Sequence, residues 1–398
     1  MQKPHGSWSR IKEVFLIFFL LGLTSFGGPI AHLSYFRSEF VLRRRWLSEA
    51  NYADLVALCQ FLPGPASSQV GFALGLLRAG YAGALAAWTA FTLPSAIMLL
   101  LFALGLTLLT DPISQGALHG LKLTAVAVVA HAVWGMARNF CPDRTRSAIA
   151  LAAVAAIALI GGPAGQITAI VIGVLAGLLL CRSVTQTERH HLHFPVSKAA
   201  GHMSATLFSM LLLGLPALTL LTPSDIVEML DAFYRAGALV FGGGHVVLPL
   251  LEAEVVQSGW VTPDDFLAGY SAAQAVPGPL FTFAAYLGAI ATPAPDPLSG
   301  AALALVMIFL PGLLLLLAVL PHWNILRQFE AAQAMMSGAN AAVVGILGAA
   351  LYQPLWTSAI ISMPDFVLAL TGFLLLSVWK LPAWAVVILL AMGGVAVA

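Results

Sequence analysis

Charge is scarce in this chain. Lysine and arginine together number 18 and aspartate and glutamate 17, so charged residues make up 9% of a 398-residue sequence that is 60% hydrophobic. A water-soluble domain of this length could not cover its surface with so few charges, and the mean hydropathy of +0.93 agrees. The net charge of +1 offers no footprint for nucleic acid, which is not an expected partner. Cysteine is scarcer still. Cys59 lies in an apolar stretch and Cys141 and Cys181 beside basic loops, an odd set that implies no disulfide framework. His-Glu-x-x-His, Walker and dinucleotide-binding patterns are missing, so no cofactor is expected. His190, His191 and His193 cluster, but histidines without a nearby cysteine make a poor zinc set. Pairs such as Ser337-Gly338 lack a placed histidine base, so an enzyme is not expected.

What the chain does contain is apolar runs of about 20 residues, nearly end to end, each long enough to span a bilayer core. The fold class read from this is an all-α polytopic membrane protein. Residues 1–12 are short, polar and basic, and the run that follows has no small-residue cleavage site, so a cleaved signal is not expected.

The chain also repeats itself. Phe26-Gly27-Gly28, Trp46 and Gln60-Phe61-Leu62-Pro63-Gly64-Pro65 return as Phe241-Gly242-Gly243, Trp260 and Gln274-Ala275-Val276-Pro277-Gly278-Pro279. The offset is 215 residues for the Phe-Gly-Gly pair and 214 for the other two. Phe91-Thr92-Leu93-Pro94 matches Ile308-Phe309-Leu310-Pro311, and Gly120-Leu121-Lys122 matches Gly338-Ala339-Asn340. The division expected is an N-terminal repeat over 1–182, a linker and extra crossing over 183–224, and a C-terminal repeat over 225–398.

Loops 1–12, 37–45, 138–146 and 182–198 are basic, whereas the second half carries Asp225, Glu228, Asp231, Glu252, Glu254, Asp264 and Asp265 at equivalent places. Basic loops favour the cytoplasm. Opposite bias therefore predicts two inverted-topology repeats, with 203–221 as the crossing that flips the second. The N-terminus is expected inside and the C-terminus outside. A full span over 13–36 would put the Arg37–Arg45 cluster outside, so broken or re-entrant hairpins turning at Phe-Gly-Gly and Pro-Gly-Pro are favoured. Ordinary spans with kinks are the alternative. Segments 80–109, 115–138, 147–161, 164–181, 299–320, 330–353, 364–379 and 382–398 read as crossings.

Matched helix breakers in a two-repeat membrane protein point to a substrate site at the breaks. Gly27, Gly28, Gly242 and Gly243 let the chain leave helical geometry. Pro63, Gly64 and Pro65, with Pro277, Gly278 and Pro279, do so more forcefully. The restarting helices aim positive N-termini and the hydroxyls of Ser67, Ser68 and Thr282 at a shared point, which suits an anion. A purely structural kink is the competing reading. Gln60 and Gln274 precede the two breaks at the same spacing. Lys122 lies about 14 Å into its segment, too deep to snorkel easily, with His119 one turn away. Asn340 and Ser337 are their repeat mates. Lys122 either faces an oxyanion or pairs with a buried carboxylate such as Asp54. His245 follows the second break and could relay protons or simply be hydrogen-bonded. The first repeat has Ile30 there and His32 two residues on. Arg78 and Arg235 read as interfacial, the latter able to pair with Asp231, and Trp46 and Trp260 as interface markers.

On these motifs the chain resembles the chromate ion transporter family, in its long two-domain form, over nearly its whole length. The resemblance implies a secondary transporter of the inner or plasma membrane that expels chromate, a tetrahedral dianion and sulfate analogue, and confers chromate resistance. Sulfate or another anion is the nearest alternative, and an intramembrane enzyme or sensor the one from another class. The partners expected are chromate or a sulfate-like oxyanion, membrane lipids and, as an option left open, a second copy of the chain.

Overall fold

The computed structural model describes residues 7–106, 111–181, 194–241, 243–323 and 329–397. Gly242, the His190–His193 cluster and the side chain of Ile30 lie outside the described residues. Every regular element among the described residues is helical. Six helical segments there are long and apolar enough to cross a membrane, which makes this an all-α polytopic membrane protein.

The first half holds α1 (Ser7–Thr24), α2 (Gly28–Phe36), α3 (Glu49–Phe61), α4 (Ala66–Leu106), α5 (Pro112–Phe140), α6 (Arg144–Ile160) and α7 (Gly162–Leu180). The helix α8 (Lys198–Leu221) follows. Only 11% of its apolar window is buried, so it presents its side chains to lipid. The second half holds α9 (Asp225–Ala238), α10 (Val247–Val255), α11 (Pro263–Ala275), α12 (Phe283–Ile290), α13 (Pro297–Val319), α14 (Glu330–Ala350), α15 (Met363–Ser377) and α16 (Ala383–Val397). Short polar side chains start many of them. Ser48, Asp111, Asp143, Ser197, Thr262, Asp296 and Ser362 each accept a first-turn backbone N–H, satisfying donors that hydrocarbon could not.

Both breaker motifs fold the chain back on itself. After Phe26-Gly27, α2 and its π-helical extension return along α1: Phe18 packs on Phe36 and Phe40 at 5.5 and 5.0 Å, and Arg44 reaches Glu13 at 3.5 Å. In the second half Arg235 on α9 bonds Glu254 at the end of α10 at 2.7 Å. It also makes the expected contact with Asp231, at 3.1 Å. The same happens at Pro-Gly-Pro. Arg78 stacks over the Trp46 ring at 5.1 Å and pairs with Glu13 at 2.8 Å. Tyr286 donates to the Asp265 carbonyl at 2.8 Å.

Helix α4 is itself bent back. Ala79 and Gly80 leave helical geometry, and a Cβ at Gly75 would meet the Gly83 carbonyl, which a straight helix would hold about 12 Å away. Gly288 and Gly300 make the matching approach between α12 and α13.

The halves interlock. Helix α5 of the first half packs through Gly120 on Leu390 and Gly394 of α16. Helix α14 of the second half packs through Gly338 on Gly173 and Gly177 of α7. Each half thus lends one helix, α5 or α14, to the last helix of the other.

The basic loop 37–45 is partly self-neutralised. Arg43 and Arg44 bond Glu39 at 2.9 and 2.5 Å. Burial alone would raise this carboxyl, but the two guanidinium groups outweigh it and hold it below its ordinary value.

Candidate site at the crossing of the helix breaks

The two Pro-Gly-Pro turns are tied into the opposite half by equivalent bonds. In Pro63-Gly64-Pro65 the glycine carries the one N–H, because proline has none. It donates to the carbonyl of Val240, just ahead of the second Phe-Gly-Gly, at 2.7 Å. Gly278 N–H donates to the carbonyl of Ser25, just ahead of the first, at 2.9 Å. Both glycines have left-handed φ, +113° and +99°, and a Cβ at either would press on the opposite half: Gly312 Cα at 3.0 Å from Gly64, Ser95 Oγ at 2.8 Å from Gly278. Gly244 lies against Pro29 and Leu280. All four breaks therefore meet at one crossing.

Most of the polar groups at this crossing are not duplicated. In the first half, His32 is buried. Its Nε2 lies 3.1 Å from the Ser25 carbonyl and its Nδ1 3.4 Å from Ser67 Oγ. A carbonyl can only accept, so Nε2 carries the hydrogen and, in the neutral ring, Nδ1 accepts from Ser67. Around this hub the hydroxyls of Ser25, Ser68 and Thr92 and the Oε1 of Gln69 are buried with no hydrogen-bond partner. Gln69 spends its amide on the carbonyls of Pro63 (3.0 Å) and Gly312 (2.9 Å). The equivalent residues of the second half are Val240, Val247, Phe281, Thr282, Phe309 and Phe283, and Thr282 satisfies itself on the Pro279 carbonyl at 2.7 Å. In the second half the polar group is His245, whose Nδ1 lies 2.8 Å from the Tyr270 hydroxyl.

Of the residues singled out from sequence, Gly27, Gly28, Pro63, Gly64, Pro65, Ser67, Ser68, Gly243, His245, Pro277, Gly278, Pro279 and Thr282 flank this crossing. Gln60 ends α3 with its side chain exposed. Gln274 Nε2 and Asn340 Oδ1 are buried without partners. The backbone N–H groups of Gly64 and Gly278 are spent on the opposite half.

Lys122 is drawn elsewhere. Its Nζ sits 2.9 Å from Asp264, at the start of α11, while Pro277 lies just past the end of that helix, about 20 Å on. The lysine is 16% exposed and its partner 64%, so the carboxylate is neither Asp54 nor buried. His119 pairs with Asp365 at 2.7 Å. Sequence reading passed over Ser25, Thr92, Tyr270 and His131. The signal available was a polar residue inside an apolar segment whose repeat mate is apolar.

The chromate transporter family pattern matches residues 12–180 and again residues 227–396, which is most of the chain in two copies. The chain belongs to the chromate transporter family. This member of the family is 28% identical over 400 residues to the chromate transport protein of Pseudomonas aeruginosa, covering 96% of this chain and 90% of that one. It is 26% identical to the probable chromate transport protein of Synechococcus elongatus, covering 98% and 96%. It is also 26% identical to the chromate transport protein of Cupriavidus metallidurans, covering 93% and 88%. No solved structure matches it. Membership sets this chain among transporters rather than enzymes or sensors and establishes the two-domain form.

Proposed function

We propose that the protein carries chromate out of the cell across the inner or plasma membrane as a secondary transporter, binding the anion where the four helix breaks cross. The observation that carries this is the set of orphaned hydroxyls. Ser25 and Ser68 are 0% and 2% exposed, and neither has a partner. An unpaired buried hydroxyl costs about 1–3 kcal/mol, a cost a tetrahedral oxyanion would remove by accepting from it. The first turns of α2 and α4 add free N–H groups and the positive ends of two helix dipoles. Gln60, Gln274, Thr282 and Asn340 line the approaches in this reading, and Lys122, held on Asp264, supplies positive charge on the exposed side.

The reading includes an inverted repeat. The paired bonds Gly64 to Val240 and Gly278 to Ser25, like the paired packing of α5 on α16 and α14 on α7, are what a two-fold relation between the halves produces. Opposite loop charge favours an axis in the membrane plane, with each Phe-Gly-Gly and Pro-Gly-Pro hairpin re-entrant, the N-terminus inside and the C-terminus outside.

The test is chromate exchange in proteoliposomes with Ser25→Ala, Ser68→Ala and the double variant. A hydrogen bond to a charged partner contributes about 1.5–3 kcal/mol, so each single change should weaken chromate binding about 10-fold or more. Stability should hold or rise, because no existing bond is lost. Unchanged affinity in the double variant would remove the site. Sulfate displacing chromate with equal affinity would broaden the substrate to oxyanions generally.

A further inference from the structure

One side chain draws three of the four breaks together. His32 stands one turn into α2 and is 1% exposed. Its Nε2 lies 3.1 Å from the Ser25 carbonyl, ahead of the first Phe-Gly-Gly, and its Nδ1 lies 3.4 Å from Ser67 Oγ, just past the first Pro-Gly-Pro. The same Ser25 carbonyl accepts from Gly278 N–H of the second Pro-Gly-Pro at 2.9 Å. The ring also meets Phe91 edge-on, with centroids 5.3 Å apart, and Phe91 precedes Thr92, whose buried hydroxyl has no partner. The second-half mate of His32 is Val247, which can make none of these bonds.

These bonds treat the two serines in opposite ways. Ser25 donates its N–H to the Leu21 carbonyl at 2.8 Å, and its own carbonyl takes two donors. The planes of the peptides before and after it are both held, so the direction of its Cα–Cβ bond is set before any ligand arrives. Its hydroxyl alone has no partner. Ser67 loses its hydrogen instead. With Nε2 donating to the Ser25 carbonyl, Nδ1 of the neutral ring takes the Ser67 hydrogen. Ser67 then turns only lone pairs outward, which repel an anion.

We propose that His32 is the positioning residue of the anion site: through one tautomer it presets the Ser25 hydroxyl as a donor to the anion and withholds that of Ser67. This rests on the site proposed above. The side-chain donors left for an oxyanion are then the partnerless hydroxyls of Ser25, Ser68 and Thr92. A donor ordered on folding need not be ordered on binding, so the bond from His32 contributes to affinity without touching the anion. The carbonyl that His32 holds is also the one that Gly278 of the other half holds, so the placed donor sits at the joint between the halves.

The test is a double-mutant cycle on chromate affinity, measured by isothermal titration of the purified protein, with thermal unfolding alongside. An asparagine amide reaches as far as Nδ1 and a glutamine amide as far as Nε2. His32→Asn therefore keeps an acceptor for Ser67 and gives up the donor to Ser25, while His32→Gln keeps that donor and leaves Ser67 without its acceptor. Each leaves one bond unmade, so a merely structural role would lower stability and affinity alike in both. Positioning predicts a split: His32→Asn should weaken chromate binding about 10-fold and His32→Gln less than about 3-fold. In the Ser25→Ala background, where the hydroxyl is already gone, His32→Asn should cost less than about 2-fold more. Wild-type affinity in His32→Asn, equal losses in the two His32 variants, or additive losses in the double variant would each overturn the assignment. His32→Gln decides alone where the asparagine variant does not fold, since a loss as large as that of Ser25→Ala overturns the assignment too. Ser67→Ala should cost less than Ser25→Ala, and the reverse order would return Ser67 to the anion's donors and refute the tautomer. Unchanged affinity in the combined Ser25→Ala and Ser68→Ala variant would instead overturn the site itself.

Discussion

Gly64→Ala probes the tie between the halves directly. At φ +113° an alanine suffers left-handed strain of about 1–2 kcal/mol. Its Cβ would also sit 3.0 Å from the Cα of Gly312 and 3.2 Å from Gln69 Nε2. Gly312 is backbone and cannot rotate away, so one strand of the crossing must shift. That shift threatens the Gly64–Val240 bond of 2.7 Å and the Gln69–Gly312 bond of 2.9 Å, each contributing about 1 kcal/mol. The expected loss is about 3–4 kcal/mol when both bonds go. Gly259→Ala is the control: its φ is +78° with nothing within 4 Å of the added Cβ, so it should lose the strain alone, about 1–2 kcal/mol. Thermal unfolding in detergent and chromate exchange in liposomes, measured on both variants, separate the cases. Gly64→Ala should melt well below Gly259→Ala and lose exchange, while Gly259→Ala should retain exchange. Equal melting shifts in the two variants would show that the Pro-Gly-Pro turn is an ordinary strained bend with no part in joining the halves.

Further expectations concern charge and orientation. Lys122→Gln should weaken chromate binding and Asp264→Asn should strengthen it, because removing the carboxylate frees the ammonium. Equal losses from both changes, read by isothermal titration, would make the pair a structural tie. Cysteines placed at Arg44 and Glu254 should react with impermeant reagent from opposite faces of the membrane, and labelling of both from one face would refute the inverted repeat. Gly278→Ala, with Ser95 Oγ 2.8 Å from the new Cβ, should damage exchange less than Gly64→Ala. A serine side chain can rotate where the Gly312 backbone cannot.

Much of the fold was legible because its decisive residues are helix breakers. Phe-Gly-Gly and Pro-Gly-Pro interrupt runs that would otherwise continue as helix, so their places and their duplication stand out against apolar sequence. The crossing read over 80–109 begins at the bend that the structure has at Ala79-Gly80. What joins the breaks was not legible. That Gly64 bonds Val240, or that Gly120 seats against Gly394, depends on how distant segments meet, and glycine in an apolar helix carries no sign of its neighbour. Lys122 shows the limit from the other side. Depth along a helix can be counted in residues, but a lysine stem reaches several ångströms, and here it runs toward Asp264 and away from the break. His32 was noted only for lying two residues past the mate of His245, and Ser25 was passed over, because one histidine or serine in apolar sequence carries no sign of its burial and bonding.

Duplication supplied a symmetric frame and left the chemistry asymmetric. The bonds that tie each Pro-Gly-Pro to the opposite half are backbone bonds, and the close helix approaches depend on glycines, so both kinds of contact recur in both repeats. Apart from the hydroxyls of Ser68 and Thr282, the side chains at the crossing do not recur: Ser25, His32 and Ser67 face the places of Val240, Val247 and Phe281, and His245 and Tyr270 those of Ile30 and Val56. On the proposed inverted repeat, a two-fold frame lets the molecule exchange one arrangement of its halves for the rotation-related one at little difference in energy, which alternating access across a membrane requires. Two equal sites would bind two dianions close together, and their repulsion in a medium of low dielectric would oppose occupancy. The partnerless hydroxyls of Ser25, Ser68 and Thr92 all lie in one half, which gives, on the proposed reading, a single anion site served by the moving frame.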